Sequence, residues 1–414
     1  MESQANRPAD APARNAAANG GQRGRFGRAL RLAPTLAALT LWSGLIGACG
    51  RSIFPFASTS PTPTATITTS PTTGNFLYSS NFGDGMVAEF SRNLSTGKLA
   101  PIGSGSVGAG SPNGPIGIAN GPSAKFLYVA NSADGNVREF KINSTSGKLT
   151  PITGSPIAAG ISPQWVAVTP NAQFAFVANF GDGTISPYTV NTTTGALTAN
   201  GSAFLSVLLS SPTAAVASNN WLYVTDNTLG TIVSFQISAS GTLSAVTSTA
   251  LSTVTPPIPS PGSVIMDPTG AFVYVTDQKF GAVYFLKVGA GGLTLAGTYT
   301  SSTMGEGGLA IGTPSSGNEF LFVANQLLPS PSISVFLVNG DGSLTGPTLY
   351  PDPSLKLPTG VAVDPTGSFL YVANQGNGTI SRFAINATTG ALGAGVSFAT
   401  ESATSKPLFL TLGQ

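Results

Sequence analysis

One six-residue motif returns at a nearly constant interval along most of this chain. It opens on an aromatic residue, continues with mostly apolar residues and ends in Asn or Asp. The seven copies are Phe76–Asn81, Phe126–Asn131, Phe174–Asn179, Trp221–Asp226, Phe272–Asp277, Phe320–Asn325 and Phe369–Asn374. Their last residues are 50, 48, 47, 51, 48 and 49 positions apart. A fixed period near fifty residues with one β-rich unit per period is typical of a β-propeller. The repeat therefore predicts an all-β, seven-bladed propeller over residues 76–414.

Each period contains four short segments with strand character. In the third period these are 162–168, 174–178 and 184–190, with a fourth segment that begins at Ala196. Turns such as Asn179-Phe-Gly-Asp-Gly183 separate them and are built from residues that accept positive φ angles. We therefore expect four antiparallel strands in each blade.

A Gly-Leu pair, in most copies with one residue between, follows the third segment of every period. The copies begin at Gly97, Gly147, Gly195, Gly241, Gly292, Gly342 and Gly390. Each Gly can adopt the left-handed conformation of the turn, and each Leu is expected to pack against the neighbouring blade. The fifth copy, Gly292-Leu293, lacks the middle residue and is predicted to be the least regular.

The C-terminal segment is expected to close the ring. An apolar segment that could form an innermost strand precedes every motif except the one at Phe76, which follows a Thr/Pro-rich stretch. A matching segment occurs at the far end, Lys406-Pro-Leu-Phe-Leu-Thr-Leu412. Pairing it with the first blade would remove the exposed edges that an open array leaves.

The first 75 residues differ in composition from the repeats. A basic stretch, 23–31, precedes an apolar run, 32–48, that is shorter than the roughly 20 residues of a membrane-spanning helix. The run ends in Leu45-Ile-Gly-Ala-Cys49, which resembles the lipobox of bacterial lipoproteins, where the cysteine is lipidated. We therefore expect a signal segment at 1–48 and a lipid anchor at Cys49. An uncleaved signal anchor with an incidental cysteine is the alternative.

Residues 49–75 are rich in Ser, Thr and Pro and are expected to form an extended tether. The propeller at 76–414 would then be held on the membrane of a bacterial cell envelope, outside the cytoplasm. Cys49 is the only cysteine, so an internal disulfide is excluded.

Charge and residue usage exclude several functions. Charged residues make up 8% of the chain, and the part from Cys49 onward has 12 basic and 14 acidic residues, a net of −2. A domain of this kind without a basic cluster is a poor candidate for nucleic-acid binding. The absence of histidine rules out a Ser-His-Asp triad and His-ligated zinc. We expect a monomer with neither cofactor nor metal.

The candidate site is the mouth of the central channel. The loop that enters each innermost strand and the loop that leaves the next strand should open on the same face, where propellers usually bind ligands. A small molecule, a glycan or an envelope protein could bind there. The polar residues expected near this mouth are Asn113, Gln164, Ser211, Ser263, Glu306, Thr359 and Lys406.

Three carboxylates fall on consecutive blades and could form an acidic sector. Asp226, Asp277 and Glu306 could act as a general base or hold a cation. Alternatively, each Asp at a strand end accepts hydrogen bonds from the following turn, as Asn does in the other copies. Further charged residues lie on the third strands and are predicted to be blade-surface charges: Glu89, Arg138, Glu139 and Arg382.

The repeat unit resembles that of the seven-bladed lactonase family. The similarity lies in Phe-Leu-Tyr-Val-Ala-Asn (369–374), Gly-Thr-Ile-Ser-x-Phe-x-Ile-Asn (378–386) and Thr-Thr-Gly-Ala-Leu (388–392). That family includes the propeller type of bacterial 6-phosphogluconolactonase and fungal carboxy-muconate cyclase, and surface propellers with Tyr-Val-Thr-Asn repeats look similar. The resemblance covers about residues 76–414 and implies a seven-bladed propeller.

The resemblance implies less about activity. The family's enzymes tend to carry Pro-Arg-His or Pro-Arg where the innermost strand begins, and positive charge there can hold an acidic lactone. The matching positions here begin at Pro115, Pro163, Pro212, Pro261 and Pro358, and none is followed by Arg or His.

Two functions are compatible with these residues. The first, which the missing Arg and His favour, is a non-catalytic binding or scaffold propeller on the cell envelope. The second is a lactone hydrolase that uses Glu306, Asp226 or Asp277 as base, with Lys406 or Gln164 stabilising the oxyanion.

Overall fold

The computed structural model describes residues 76–121, 123–252, 258–301, 305–326 and 330–413, without the side chain of Glu306. This part contains thirty strands in seven antiparallel sheets and no helix. None of the described elements is therefore a helix long and apolar enough to span a membrane. The predicted signal segment 1–48 and tether 49–75, with Cys49, lie outside the described residues.

The first three blades take up the N-terminal half of the ring. Blade 1 contains β1 (Phe76–Asn81), β2 (Met86–Arg92) and β3 (Leu99–Gly108); blade 2 contains β4 (Pro115–Asn120), β5 (Phe126–Asn131), β6 (Asn136–Ile142), β7 (Leu149–Pro151) and β8 (Ile157–Ala158); blade 3 contains β9 (Pro163–Val168), β10 (Phe174–Asn179), β11 (Thr184–Val190), β12 (Leu197–Ala199) and β13 (Phe204–Leu205). In blades 2 and 3 the outer strand is split into two short pieces, β7 and β8 or β12 and β13, that pair with the same third strand.

The other four blades are regular. Blade 4 contains β14 (Pro212–Ala217), β15 (Trp221–Asp226), β16 (Thr231–Ile237) and β17 (Leu243–Ala250); blade 5 contains β18 (Pro261–Met266), β19 (Phe272–Asp277), β20 (Ala282–Gly289) and β21 (Gly292–Thr300); blade 6 contains β22 (Glu306–Gly312), β23 (Glu319–Asn325), β24 (Ser332–Val338) and β25 (Leu344–Pro351); blade 7 contains β26 (Pro358–Val363), β27 (Phe369–Asn374), β28 (Thr379–Ala384) and β29 (Val396–Ala399). The last strand of the chain is β30 (Pro407–Gly413).

The C-terminal strand completes the first blade, as predicted. β30 pairs antiparallel with β1, with Leu412 opposite Leu77 and Leu410 opposite Ser79. The inner strands β30, β4, β9, β14, β18, β22 and β26 then contact one another in that order, and β26 returns to β30. The sheets therefore form a closed ring, and the first blade has an inner strand like the other six.

The start of each inner strand lies beside the end of the second strand. Pro163 is opposite Asn179, Pro212 is opposite Asp226, and Pro358 is opposite Asn374. The loops that enter the inner strands and leave the second strands therefore open on one face, which confirms the predicted geometry of the mouth. We call this side the entry face.

The recurring motifs form the interfaces between blades. The aromatic ring that opens each motif lies on the glycine of the Gly-x-Leu turn in the following blade. A methyl group placed on Gly147 would be 2.2 Å from Cδ1 of Phe76, and one on Gly195 would be 2.2 Å from Cδ1 of Phe126. The same pairing holds at Phe174–Gly241, Phe272–Gly342, Phe320–Gly390 and Phe369–Gly97. Gly292 is the exception and faces Thr247 and Ser234, which fits the irregularity predicted for the fifth copy.

A tyrosine of the motif adds a hydrogen bond at the same interface. The Tyr128 hydroxyl donates to the carbonyl oxygen of Gly195 over 2.8 Å, and Tyr371 donates in the same way to Gly97 over 2.8 Å. Tyr78 and Tyr274 make the equivalent bonds to Gly147 and Gly342. Burial raises the pKa of Tyr371 to about 12, so its hydroxyl keeps its proton at neutral pH.

The prediction of a surface position is wrong for Glu89 and Glu139, because both side chains are buried between blades. Glu89 and Glu139 are each 2% exposed. Glu89 accepts a hydrogen bond from the Leu149 N–H at 2.5 Å, and Glu139 accepts one from the Leu197 N–H at 2.6 Å. Loss of solvent raises the pKa of both carboxyl groups, and these hydrogen bonds offset part of the rise. Each therefore anchors the start of the next blade's outer strand.

The other two residues predicted to be surface charges, Arg138 and Arg382, are half-buried. Arg382 lies over the Phe369 ring and donates a hydrogen bond to the Thr96 carbonyl of blade 1, and Arg138 lies on β6.

The joint between blades 7 and 1 carries the one ion pair among the described residues. Arg92 on β2 contacts Asp364, which follows β26, at 2.9 Å, and both side chains are almost fully buried. Asp364 also accepts hydrogen bonds from the N–H groups of Ser368 and Phe369. Removing one partner of a buried ion pair costs several kcal/mol, because the other charge is left buried and unpaired. The ring is thus fastened at the joint where the two ends of the chain meet.

The contact between aromatic ring and glycine can be tested with two glycines that both have positive φ. Gly147 (φ 73°) lies on the Phe76 ring, whereas a methyl group on Gly154 (φ 91°) would meet nothing within 4 Å. Gly154→Ala should cost about 1 kcal/mol in unfolding free energy, from backbone strain alone. Gly147→Ala should cost about 3 kcal/mol, since the ring must also move. Urea unfolding measures both, and equal losses would contradict the proposed contact.

Candidate functional site

Asp226 is occupied by the backbone around it. The side chain is fully buried. One carboxylate oxygen accepts hydrogen bonds from the N–H groups of Ser210 at 2.6 Å and Ser211 at 2.8 Å, and the other accepts from Thr228 and Leu229. A carboxylate with four backbone donors and no exposed surface holds its turn in place, which favours the structural alternative over a role as general base.

Asp277 has a similar environment on the next blade. It is fully buried and accepts hydrogen bonds from the N–H groups of Ser260 and Lys279 at 3.1 and 2.9 Å. The Tyr284 hydroxyl donates to its second oxygen at 2.6 Å. Asn179 and Asn374 occupy the same place in their blades and make comparable bonds with their amides. The proposed acidic sector therefore loses two of its three members.

Glu306 is the remaining carboxylate of that sector. It is the first residue of β22 and lies opposite Asn325, at the entry face. Its backbone is therefore where the sequence predicted. Within the described part of the chain, no three His, Cys, Asp or Glu side chains are grouped to hold a metal ion.

Lys406 and Asn113 lie close together at the entry face. Both are exposed and have positive φ angles, 49° and 64°. The Lys406 carbonyl accepts a hydrogen bond from the Phe82 N–H, and the Asn113 N–H donates to the Phe82 carbonyl at 2.6 Å. The structure thus places them on the two sides of one loop in blade 1. Gln164, on the second position of β9, is half-buried.

The predicted hydroxyl residues have different roles. Thr359 is buried, and its hydroxyl donates to the carbonyl oxygens of Ala373 and Pro407, so it ties blade 7 to β30. The Ser211 hydroxyl accepts a hydrogen bond from Thr228 on the rim. Ser263 is 6% exposed and lines the channel.

The central channel contains a cavity of about 400 Å³. It lies in the middle of the channel and towards the face opposite the entry. Its wall is formed by Ile118, Trp165, Ala215, Val216, Ser263, Val264, Ile265, Gly308, Leu309, Ala310, Ile311, Val361, Ala362, Val363, Phe409, Leu410, Thr411 and Leu412. Of the seven polar residues predicted for the mouth, this wall includes Ser263. No side chain of the wall is charged, and its side-chain hydroxyls belong to Ser263 and Thr411.

Two aromatic residues meet inside this channel. The rings of Trp165 on β9 and Phe409 on β30 have centroids 4.7 Å apart and are nearly perpendicular, at 87°. β4 lies between those two strands, and its Gly117 allows a close approach, because a methyl group there would be 2.5 Å from the Gln164 carbonyl oxygen. The pair therefore spans an intervening blade, in an edge-to-face geometry that aromatic rings favour.

The sequence contains a signal for this pair that the pattern of polar residues does not reveal. Both aromatics occupy the third position of their inner strands. The other five strands have small residues at that position: Gly117, Ala214, Ser263, Gly308 and Gly360. Large side chains at two of these seven equivalent positions, with small residues at the other five, indicate that Trp165 and Phe409 fill part of the central channel. The aromatic residues of the second strands, in contrast, are core, as predicted, except that Trp221 and Phe272 are half-buried.

The sequence and the fold identify the family. Residues 52–160, 153–308 and 303–405 match the family model "Lactonase, 7-bladed beta-propeller". The chain belongs to this family. No curated protein sequence matches the chain.

Three solved structures with a similar fold are bacterial proteins. A periplasmic gluconolactonase from Pseudomonas aeruginosa is 19% identical with a TM-score of 0.67, over 83% of this chain and 99% of that one. A candidate 6-phosphogluconolactonase from Bacteroides uniformis is 20% identical with a TM-score of 0.68, over 82% of this chain and 100% of that one. Another from Bacteroides fragilis is 18% identical with a TM-score of 0.69, over 83% and 98%. At these identities the likeness concerns the fold.

Proposed function

We propose that this propeller is a lactonase-like hydrolase that opens a small lactone in its central channel. The cavity of about 400 Å³ on the axis of a lactonase-family propeller is the observation that carries this proposal. Its size is in the range of small-molecule sites. The names of two of the similar structures, a gluconolactonase and a candidate 6-phosphogluconolactonase, suggest a cyclic ester as the substrate class.

In this proposal Glu306 is the general base. Gly308, two residues further along β22, lines the cavity, and a strand rises about 3.3 Å per residue, so Glu306 lies near the rim of the cavity. The carboxylate would take a proton from a water molecule whose oxygen attacks the lactone carbonyl carbon. The ring C–O bond then breaks, and the departing alkoxide receives this proton from the Glu306 carboxyl group, which yields a hydroxy acid. Gln164 and Lys406, the expected oxyanion donors, do not line the cavity, whereas Ser263 does, and its hydroxyl would donate to the oxyanion in this proposal.

A non-catalytic binding propeller is the second candidate. The observation that favours it is the commitment of Asp226 and Asp277 to backbone hydrogen bonds, which leaves one carboxylate of the predicted sector for acid–base chemistry. Such a propeller would bind its ligand in the same channel without turnover.

Turnover of a lactone panel by the wild type and by Glu306→Gln separates the two candidates. We expect the substitution to lower kcat at least 100-fold, since it removes the proposed base. Glu401→Gln is the matched control, because Glu401 is exposed and lies after the outer strand β29. Undiminished activity in Glu306→Gln would exclude its role as the base. An inactive wild type across the panel would favour the binding propeller.

We also propose, from the N-terminal sequence, that the domain is held outside the cytoplasm by a lipid on Cys49. The supporting features are the small residues before this cysteine and the Ser/Thr/Pro-rich stretch after it. In cells that express the full chain, Cys49→Ser should move the protein from the membrane fraction to the soluble fraction and abolish labelling by a fatty-acid analogue. A membrane-bound, unlabelled wild type would instead indicate an uncleaved signal anchor.

A further inference from the structure

The cavity wall has no charged side chain, and its side-chain hydroxyls belong to Ser263 and Thr411. Its half away from the entry face is lined by Val216, Ile265, Ile311, Val363 and Leu412, each half-buried on a different inner strand. A phosphate or carboxylate placed among these side chains would lose water and meet no cationic side chain in the wall, which is unfavourable. This part of the channel therefore selects against charged sugar lactones.

The hydroxyl of Ser263 lies between this apolar part of the cavity and the entry face. Ser263 is 6% exposed and lines the cavity, and its hydroxyl makes no hydrogen bond to another described residue. It occupies the third position of β18, as Gly308 does on the adjacent β22. A hydroxyl that faces a cavity can donate to a carbonyl oxygen bound there. Ser263 thus provides one polar contact in the cavity. It lies two strand positions deeper in the channel than Glu306, which is the first residue of β22.

The aromatic pair defines the shape of the site at the same level. Trp165 and Phe409 are third-position residues of β9 and β30, on the opposite side of the ring from β18 and β22. Their rings add aromatic surface to the cavity wall on that side. A small ring with one carbonyl, bound between this pair and Ser263, would direct an attached chain along the aliphatic residues of the wall.

We propose that the ligand is an uncharged lactone that carries an aliphatic chain, with its carbonyl at Ser263, its ring beside Trp165 and Phe409, and its chain in the apolar half of the channel. This assignment rests on the proposed function and names its substrate class. The ester would lie on the cavity side of Glu306. The chain would gain the hydrophobic contribution of burial, about fourfold in affinity for each CH₂ group.

The test is calorimetric binding of γ-lactams with side chains of different length to the full chain. A lactam keeps the ring and carbonyl and resists hydrolysis, so the measurement does not depend on turnover. Affinity should rise about fourfold per CH₂ until the cavity is full. A phosphorylated sugar lactam should not bind. Equal affinity for all lengths, stronger binding of the charged compound, or no binding of any lactam would overturn the proposal.

Two variants locate the site. Val216→Phe fills part of the cavity and should weaken the long-chain lactam at least tenfold while the shortest one binds as before. Val396→Phe, at an exposed position on the outer strand β29, is the matched control. If both variants bind the long-chain lactam equally, the chain does not occupy the channel.

Ser263→Ala should weaken all lengths by a similar factor of about five, through loss of one hydrogen bond. This variant changes little volume, so it remains informative if Val216→Phe unfolds. An unchanged affinity for every lactam would remove Ser263 from the site. If the lactams bind as expected but no lactone is turned over, the hydrolase is wrong and the ligand class stands.

Discussion

The propeller depends on one contact, in which the aromatic ring at the start of a motif lies on the glycine of the next blade. The ring and the glycine both belong to the repeat, and the contact forms at every joint except the one between blades 4 and 5, where Gly292 faces Thr247 and Ser234. Because only hydrogen occupies that side of the glycine, the two sheets approach closely enough for the tyrosine hydroxyl to reach the glycine carbonyl. The buried leucine of the same turn then packs on the preceding blade, as Leu149 does on Phe76 and Tyr78. Repetition of this contact explains why the aromatic residue and the turn glycine recur together along the chain.

The fold could be predicted because such local contacts recur and leave a pattern in the sequence. The seven motifs, the turn glycines and the C-terminal inner strand all correspond to elements of the structure. Glu89 and Glu139 could not be placed in this way. A glutamate on a third strand looks the same in sequence whether it faces water or a backbone N–H of the next blade. The outcome depends on the approach of two sheets, which no local pattern describes.

The site was harder to predict for a related reason. Polar residues at the strand starts do not mark the cavity, because their side chains or backbone hold the rim together, as those of Thr359 and Asp226 do. The cavity instead lies deeper and is apolar. Its distinguishing residues, Trp165 and Phe409, belong to strands far apart in sequence and meet only because β30 closes the ring beside β4. A contact of that kind depends on the whole topology.

The same closure links architecture to function, because a channel of fixed width exists only if the joint between blades 7 and 1 is as firm as the other joints. The Tyr371–Gly97 hydrogen bond lies at this joint, and the Tyr128–Gly195 bond lies at the joint between blades 2 and 3. Both join buried groups over 2.8 Å. The most direct measurement is the loss of unfolding free energy in Tyr371→Phe compared with Tyr128→Phe. A closed ring predicts equal losses of about 1 kcal/mol. A loss in Tyr128→Phe with none in Tyr371→Phe would show that the ring is open at the joint.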